Sequence, residues 1–329
     1  MGFDEIVGNE PAKTILKRAI ANDRVSNAYV FEGIAGVGKK LAADIFARGL
    51  VCEQRTQAPC GTCPACRKAL AKGHPDIIYL EKEKDKKSIG VEEVRAQILS
   101  EVYMKPYLSP YRVFIIDEGD ILSVGAQNAL LKILEEPPSY ATFIICVTSQ
   151  EKLLDTVLSR SCSVTFFPLS FAEIISYLEK DHDMDDKTRL FARLSQGSIG
   201  KAQELLSDED AEKLYEDSVA ALLRLKKDAT NVFEVASFMS AEKERISEII
   251  DFFQTFLRDC IFIKSGMGDQ VVYENKKTEM FLFCETVSKK ALVQAFDRLT
   301  EFRLRLKQNI NYNTSVAETV MCIWEDFHG

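Results

Sequence analysis

The chain has 329 residues, enough for two or three domains with cores of their own. With 46% apolar and 28% charged residues it has the composition of an ordinary globular protein, and no stretch approaches the roughly 20 apolar residues of a membrane span. A net charge of −8 gives no global pull toward a polyanion, so tight nucleic-acid binding by the chain alone is not expected.

The opening MGFDEIVGNE has neither the charged nor the apolar region of a signal peptide, and the expectation is a cytoplasmic chain with no membrane partner. From residue 28 to 167 short apolar runs alternate with amphipathic stretches. AYVFE (28–32), DIIYLE (76–81), YRVFIIDE (111–118), TFIICVTS (142–149) and SVTFF (163–167) read as strands. KKLAADIFARGL (39–50), VEEVRAQILSEV (91–102) and SVGAQNALLKILEE (123–136) carry apolar residues at helical spacing. This alternation predicts an α/β domain around a parallel sheet, with RVFIID and TFIICV as buried central strands. EKEKDKK at 81–87 reads as a solvated loop of mixed charge. After Pro168 the strands stop. Short helices are expected at FAEIISYLEK, TRLFARLSQG and IGKAQELLS, then longer ones such as ISEIIDFFQTFLRDCIFI and ALVQAFDRLTEFRLRL.

Three constellations carry chemistry. GIAGVGKK at 33–40 sits at a strand-to-helix turn, where Gly33, Gly36 and Gly38 let backbone N–H groups cradle phosphates and Lys39 reaches them. The next residue of such a loop should be Ser or Thr, to ligate Mg²⁺, and here it is Lys40. The alternative is a tight turn with an exposed lysine. VFIIDE (113–118) supplies the acidic strand end such a site needs: Asp117 to hold a metal, directly or through water, and Glu118 to polarise an attacking water. Cys52, Cys60, Cys63 and Cys66 have the thiolate count and spacing of a structural zinc site, with a redox C-x-x-C pair or an iron–sulfur cluster as alternatives. His74, in GHPD, reads as a loop-ordering histidine beside them. The remaining five cysteines sit singly in apolar runs, as small core residues do. Arg160, in LLDTVLSRSC, stands just before the last strand; by chemistry alone it is a helix C-terminal arginine favoured by the dipole.

Together these segments resemble the AAA+ clamp-loader subunits of bacterial DNA polymerase III. The resemblance is carried by FDEIVGNEPAKTILKRAI, SNAYVFEGIAGVGKK, the cysteine cluster with GHPD, VFIIDEGDILSVGAQNALLKILEEPP and LLDTVLSRS, with NINYNTSVAETVM similar to the family's last helix. It implies a RecA-like AAA+ P-loop domain at 1–168 with an inserted zinc module at about 52–66, a helical lid at 169–207 and an all-α collar at 208–329. It also implies a hetero-pentamer with delta and gamma/tau subunits, which loads a sliding clamp onto primed DNA. LLDTVLSRS resembles the family's Ser-Arg-Cys segment, with Ser161 at the cysteine position. Arg160 would then be the arginine offered in trans to a neighbour's ATP. The lid arginine of motor subunits corresponds to Gly200, in GSIGKA, with Lys201 beside it. With Lys40 and Gly200 both departing from the motor pattern, the expectation is a stator subunit. Its own site for ATP and Mg²⁺ is weakened and Glu118 is vestigial in it. The alternative is a gamma/tau-type motor that hydrolyses ATP itself.

Overall fold

The computed structural model of the protein describes residues 2–55, 58–80, 86–306, 308 and 311–329. Residues 81–85 of the charged stretch EKEKDKK, and residues 309 and 310 of NINYNTSVAETVM, lie outside them. The chain divides into two compact units, one of residues 1–182 with 195–201, the other of 183–194 with 202–329.

The first unit is an α/β domain built on the expected parallel sheet. Five parallel strands, β1 (Ala28–Glu32), β2 (Ile77–Tyr79), β3 (Arg112–Ile116), β4 (Ala141–Val147) and β5 (Cys162–Thr165), lie in the order β2-β3-β4-β1-β5. Every residue of β3 and β4 is buried, which explains why both read as unbroken apolar runs rather than alternating ones. Along β1 the period of two divides the side chains. Ala28 and Val30 join Phe114, Phe143 and Ile145 in one core, where the rings of Phe114 and Phe143 stack at 5.0 Å. Tyr29 and Phe31 meet Phe46 and Phe166 edge-on or tilted, at 5.0 and 5.3 Å.

Helices α1 (Glu10–Ala21), α2 (Lys39–Leu50), α3 (Pro64–Leu70), α4 (Val91–Val94), α5 (Val124–Glu135), α6 (Asp155–Leu158) and α7 (Phe171–Leu178) complete this unit. The single helix expected at 91–102 is instead α4 followed by a π-turn at Arg95–Leu99. The wider turn still delivers Val94, Ile98 and Val102 to the core beside the sheet. Below the sheet edge, the carboxylate of Asp76, fully buried, accepts hydrogen bonds from the backbone N–H groups of Tyr107, Leu108 and Ser109 (2.6, 2.8 and 3.0 Å) and from the Ser109 hydroxyl. It pins the loop that leads into β3.

The second unit is all helical: α8 (Asp186–Leu194), the larger part of α9 (Ile199–Ser207), α10 (Ala211–Leu225), α11 (Asn231–Ala241), α12 (Ile246–Lys264), α13 (Lys277–Thr286), α14 (Lys289–Arg305) and α15 (Tyr312–His328). Helix α12 is central. It packs on α10, α13 and α14, and α15 lies between α14 and α11. Phe252, Phe253 and Phe256 from α12 meet Tyr215, Tyr273 and Phe283 in the core, and the buried Tyr273 hydroxyl donates to the Phe252 carbonyl at 2.9 Å.

Burial alone would raise the Asp76 carboxyl, but the four donors from 107–109 outweigh it and hold it below its ordinary value. A folded-state pKa below the unfolded one contributes stability above about pH 4, lost as pH falls through the folded value. Asp76→Ala should therefore cost about 2–3 kcal/mol at neutral pH, by urea denaturation. The gap from wild type should narrow in acid.

Candidate functional site

Loop 33–38 leaves the carboxyl end of β1 and enters α2, and three positions in it accept only glycine. Gly33 (φ +156°) runs so close under Phe166 that a Cβ would meet the Phe166 carbonyl oxygen at 2.4 Å. Gly36 (φ +72°) and Gly38 (φ +105°), the residue preceding α2, are left-handed. The strand ends around the loop are tied together. Glu32 accepts from the Gln150 N–H and side-chain amide at 3.0 and 2.9 Å, and Asp120 accepts from the N–H and hydroxyl of Thr148.

Both lysines of the loop are engaged. Lys39, mostly buried, donates from Nζ to the carbonyls of Gly33 and Ile34 at 2.6 and 2.9 Å, and burial lowers its pKa. Lys40 places Nζ 2.6 Å from Oδ2 of Asp117, which follows β3, and that contact raises its pKa. Glu118 is exposed beside them. Gly33, Gly36, Gly38, Lys39, Lys40 and Asp117 thus lie together at the carboxyl edge of the sheet.

Segment 195–201 closes the loop from the other side. Ser198 Oγ donates to the Ala35 carbonyl at 2.8 Å and the Gly200 N–H to the Gly36 carbonyl at 3.0 Å. A Cβ on Gly200 would stand 2.8 Å from the Gly36 Cα, and one on Gly36 would stand 2.4 Å from Ser198 Oγ. The absence of a side chain at 200 therefore has a packing cause. Ser198 was not singled out from the sequence; a serine in GSIG gives no linear sign that it reaches a loop more than 160 residues earlier.

The four cysteine Sγ atoms of Cys52, Cys60, Cys63 and Cys66 all lie within 4.8 Å of one another, and those of Cys60 and Cys66 are 3.9 Å apart. A tetrahedral zinc with bonds of 2.3 Å needs an S···S edge of about 3.8 Å, so the set fits such a metal. Backbone N–H groups already point at the sulfurs: Gln54 and Cys60 toward Cys52, Cys63 toward Cys60, Cys66 toward Cys63, at 3.3 to 3.5 Å. The Cys63 N–H leads in holding the Cys60 thiol down, to about 6, while burial pushes the Cys52 and Cys66 thiols up. His74 is outside the cluster. It is buried, and its Nδ1 accepts the Asp76 N–H at 3.2 Å, which orders the GHPD turn.

Arg160 stands apart from both sites. It follows α6, where its Nη1 donates to the Thr156 carbonyl at 3.0 Å and to Ser159 Oγ at 3.2 Å, while Nη2 pairs with Oε1 of Glu135 at 2.9 Å. Glu135, at the end of α5, was not anticipated as its partner, because the two are joined only through the fold. In the β1–β5 register Tyr29 faces Cys162. Arg160 is therefore level with Asn27, and Gly33 lies six residues further along, on the order of 20 Å at ~3.3 Å per residue. Arg160 lies at the amino edge of the sheet and the phosphate-type loop at the carboxyl edge.

Two protein families match this chain. The one described as "DNA polymerase III, delta subunit" covers residues 8–170, and "DNA polymerase III, delta subunit, C terminal" covers residues 209–322. The DNA polymerase III subunit delta' of Bacillus subtilis is 27% identical over 321 residues, 94% of each chain. The tau subunit of the same organism is 28% identical over 332 residues, 93% of this chain, which spans 58% of that subunit's length. Among solved structures, a gamma subunit-related protein of DNA polymerase III from Thermotoga maritima aligns over 95% of this chain and 99% of its own, at 17% identity and a TM-score of 0.41.

Gly200→Ala drives a methyl into the Gly36 backbone. It should cost about 1–3 kcal/mol in chemical denaturation, as overpacking does, with faster amide exchange at 195–201.

Proposed function

The chain belongs to the DNA polymerase III delta-subunit family as a delta-prime-type member, and we propose that it serves a clamp loader as a stator, giving an arginine to its neighbour's nucleotide rather than turning over its own. The observation that carries this reading is the placement of cations. Lys40 lies on Asp117, where a motor needs a hydroxyl and a metal, and Gly200 lies backbone to backbone on Gly36, where a motor's lid arginine would stand. Hydrolysis by positioning needs all its parts at once. With two altered, phosphate binding by Gly33, Gly36, Gly38 and Lys39 outlasts turnover, and Glu118 is left without its task. With Lys40 on Asp117 and no hydroxyl at position 40, the donor set does not fit Mg²⁺.

Arg160 cannot serve the chain's own loop from the opposite edge of the sheet. It can serve another subunit placed against that edge, where its planar fork would stabilise charge developing on a transferred phosphoryl group. The partners on this reading are delta and gamma/tau subunits in a hetero-pentamer, acting in the cytoplasm, with the sliding clamp and primed DNA reached through the complex. Residues 169–207 form its lid and 208–329 its collar. No helix among the described residues is long and apolar enough to cross a membrane. Cys52, Cys60, Cys63 and Cys66 hold a structural zinc, which closes the module at 52–66 and leaves no open position for catalysis. The motor reading keeps one observation in its favour, the intact strand end with Asp117 followed by an exposed Glu118.

The purified chain should hydrolyse ATP negligibly; robust turnover abolished by Lys39→Ala would establish the motor instead. In a loader reconstituted with its partners, Arg160→Ala should lower DNA-stimulated ATPase while leaving assembly and the free chain's melting temperature nearly unchanged. A finger at one site is worth about 10³ to 10⁵ in rate there, and total turnover falls only in part because other junctions keep their own arginines. Arg160→Lys should rescue poorly. A simple helix-end role predicts the reverse, a loss of about 0.3–1 kcal/mol in the free chain, rescue by lysine and wild-type turnover.

Metal analysis of protein purified without added zinc should return close to one equivalent per chain. Folded, metal-free protein would overturn the zinc assignment. Cys63→Ser should release the metal and loosen 52–66 while the sheet core keeps its protection from amide exchange.

A further inference from the structure

The pairing of Lys40 with Asp117 does more than remove a magnesium ligand. We propose that the Lys40 ammonium takes the place of the divalent cation on Asp117, so that a nucleotide polyphosphate in this loop is held as the metal-free anion. This rests on reading residues 33–40 as a phosphate loop.

Three features support it. Lys40 and Asp117 are 2.6 Å apart, a full charge-assisted contact, so the carboxylate charge that would draw Mg²⁺ is already neutralised from within the chain. Lys40 is the second residue of α2 and its side chain is 57% exposed, so its ammonium fronts the mouth of the loop rather than a sealed interior. An incoming Mg²⁺ would meet that ammonium at the carboxylate it needs. It would also lack the hydroxyl that normally completes its near-ideal octahedron. Asp44, one turn further along α2, does not offer an unengaged replacement, because it accepts the Tyr79 hydroxyl at 2.8 Å.

The charge balance favours the anion without its metal. Lys39 and Lys40 bring two positive charges to the loop, and the N-terminus of α2 adds its partial charge in the same direction. Lys39 has to leave the Gly33 and Ile34 carbonyls to meet a phosphate; Lys40 can share its ammonium between Asp117 and a phosphate oxygen, since it carries three donors. A magnesium-bound nucleotide brings two fewer negative charges and a cation facing Lys40, and so gains nothing here.

Isothermal titration of the full chain with ATP and with ADP, in excess magnesium chloride or in EDTA, tests this directly. The expected result is a dissociation constant at least about tenfold weaker in excess magnesium than in EDTA, because magnesium draws the nucleotide out of the form the loop holds. In Lys40→Thr magnesium should tighten binding by about tenfold or more, because the hydroxyl and the unpaired Asp117 are then both available. Binding to the wild-type chain that magnesium leaves unchanged or tightens overturns the proposal and leaves the phosphate-loop reading standing. No nucleotide binding by either protein in either condition overturns both. A thermal double-mutant cycle of Lys40→Met and Asp117→Asn supplies a readout that needs no nucleotide: non-additive melting shifts support the internal pair, and strictly additive ones overturn it.

Discussion

Much of the site follows from how closely two stretches of backbone approach each other. Gly36 and Gly200 meet with no side chain between them, joined by an N–H···O bond of 3.0 Å, and Gly33 slides under the Phe166 carbonyl with the same economy. Contacts this close admit only glycine, and they set what else can happen nearby. With segment 195–201 against the loop, the space a side chain at 200 would need is filled by main chain. The lysines then satisfy themselves on the protein's own oxygens, Lys39 on two carbonyls and Lys40 on Asp117. The tied strand ends, Glu32 to Gln150 and Asp120 to Thr148, hold the floor beneath them.

The two units solve the problem of buried polar groups in different ways. In the α/β unit a buried carboxylate, Asp76, is wrapped by donors until its charge is favoured. In the helical unit Asp259 is equally buried and accepts from the N–H groups of Val272 and Tyr273, with Arg258 beside it, yet burial wins and its pKa is raised. Both fasten an irregular connection to a regular element, β2 in one case and α12 in the other. The difference lies in how many donors surround each charge against how deeply it is enclosed.

The strands were legible because residues buried on both faces leave continuous apolar runs, and all five appear where AYVFE, DIIYLE, YRVFIIDE, TFIICVTS and SVTFF stand. The loop and the cysteine cluster were legible because their chemistry is local: glycines at a turn, thiols within a few residues of each other. What the sequence hid was everything that depends on two distant segments meeting. The reach of Ser198 to Ala35, the choice of Glu135 by Arg160 and the seat of Lys40 on Asp117 join residues tens to more than a hundred positions apart. The π-turn at Arg95–Leu99 escaped for another reason. Its apolar spacing is satisfied by an ordinary helix as well as by a widened one, so periodicity cannot separate them.

The pairing of Arg160 with Glu135 is loosely held. Its side chain is 35% exposed and that of Glu135 52%, so this is a surface pair, screened by water and salt and worth about 0–1 kcal/mol. Such a contact is a resting place. It holds the guanidinium beside Glu135, yet an anion with more charge, or a drier setting, outcompetes a single wet carboxylate. The cost of breaking it is small, and the Thr156 carbonyl in the last turn of α6 still holds Nη1 when Nη2 leaves Glu135.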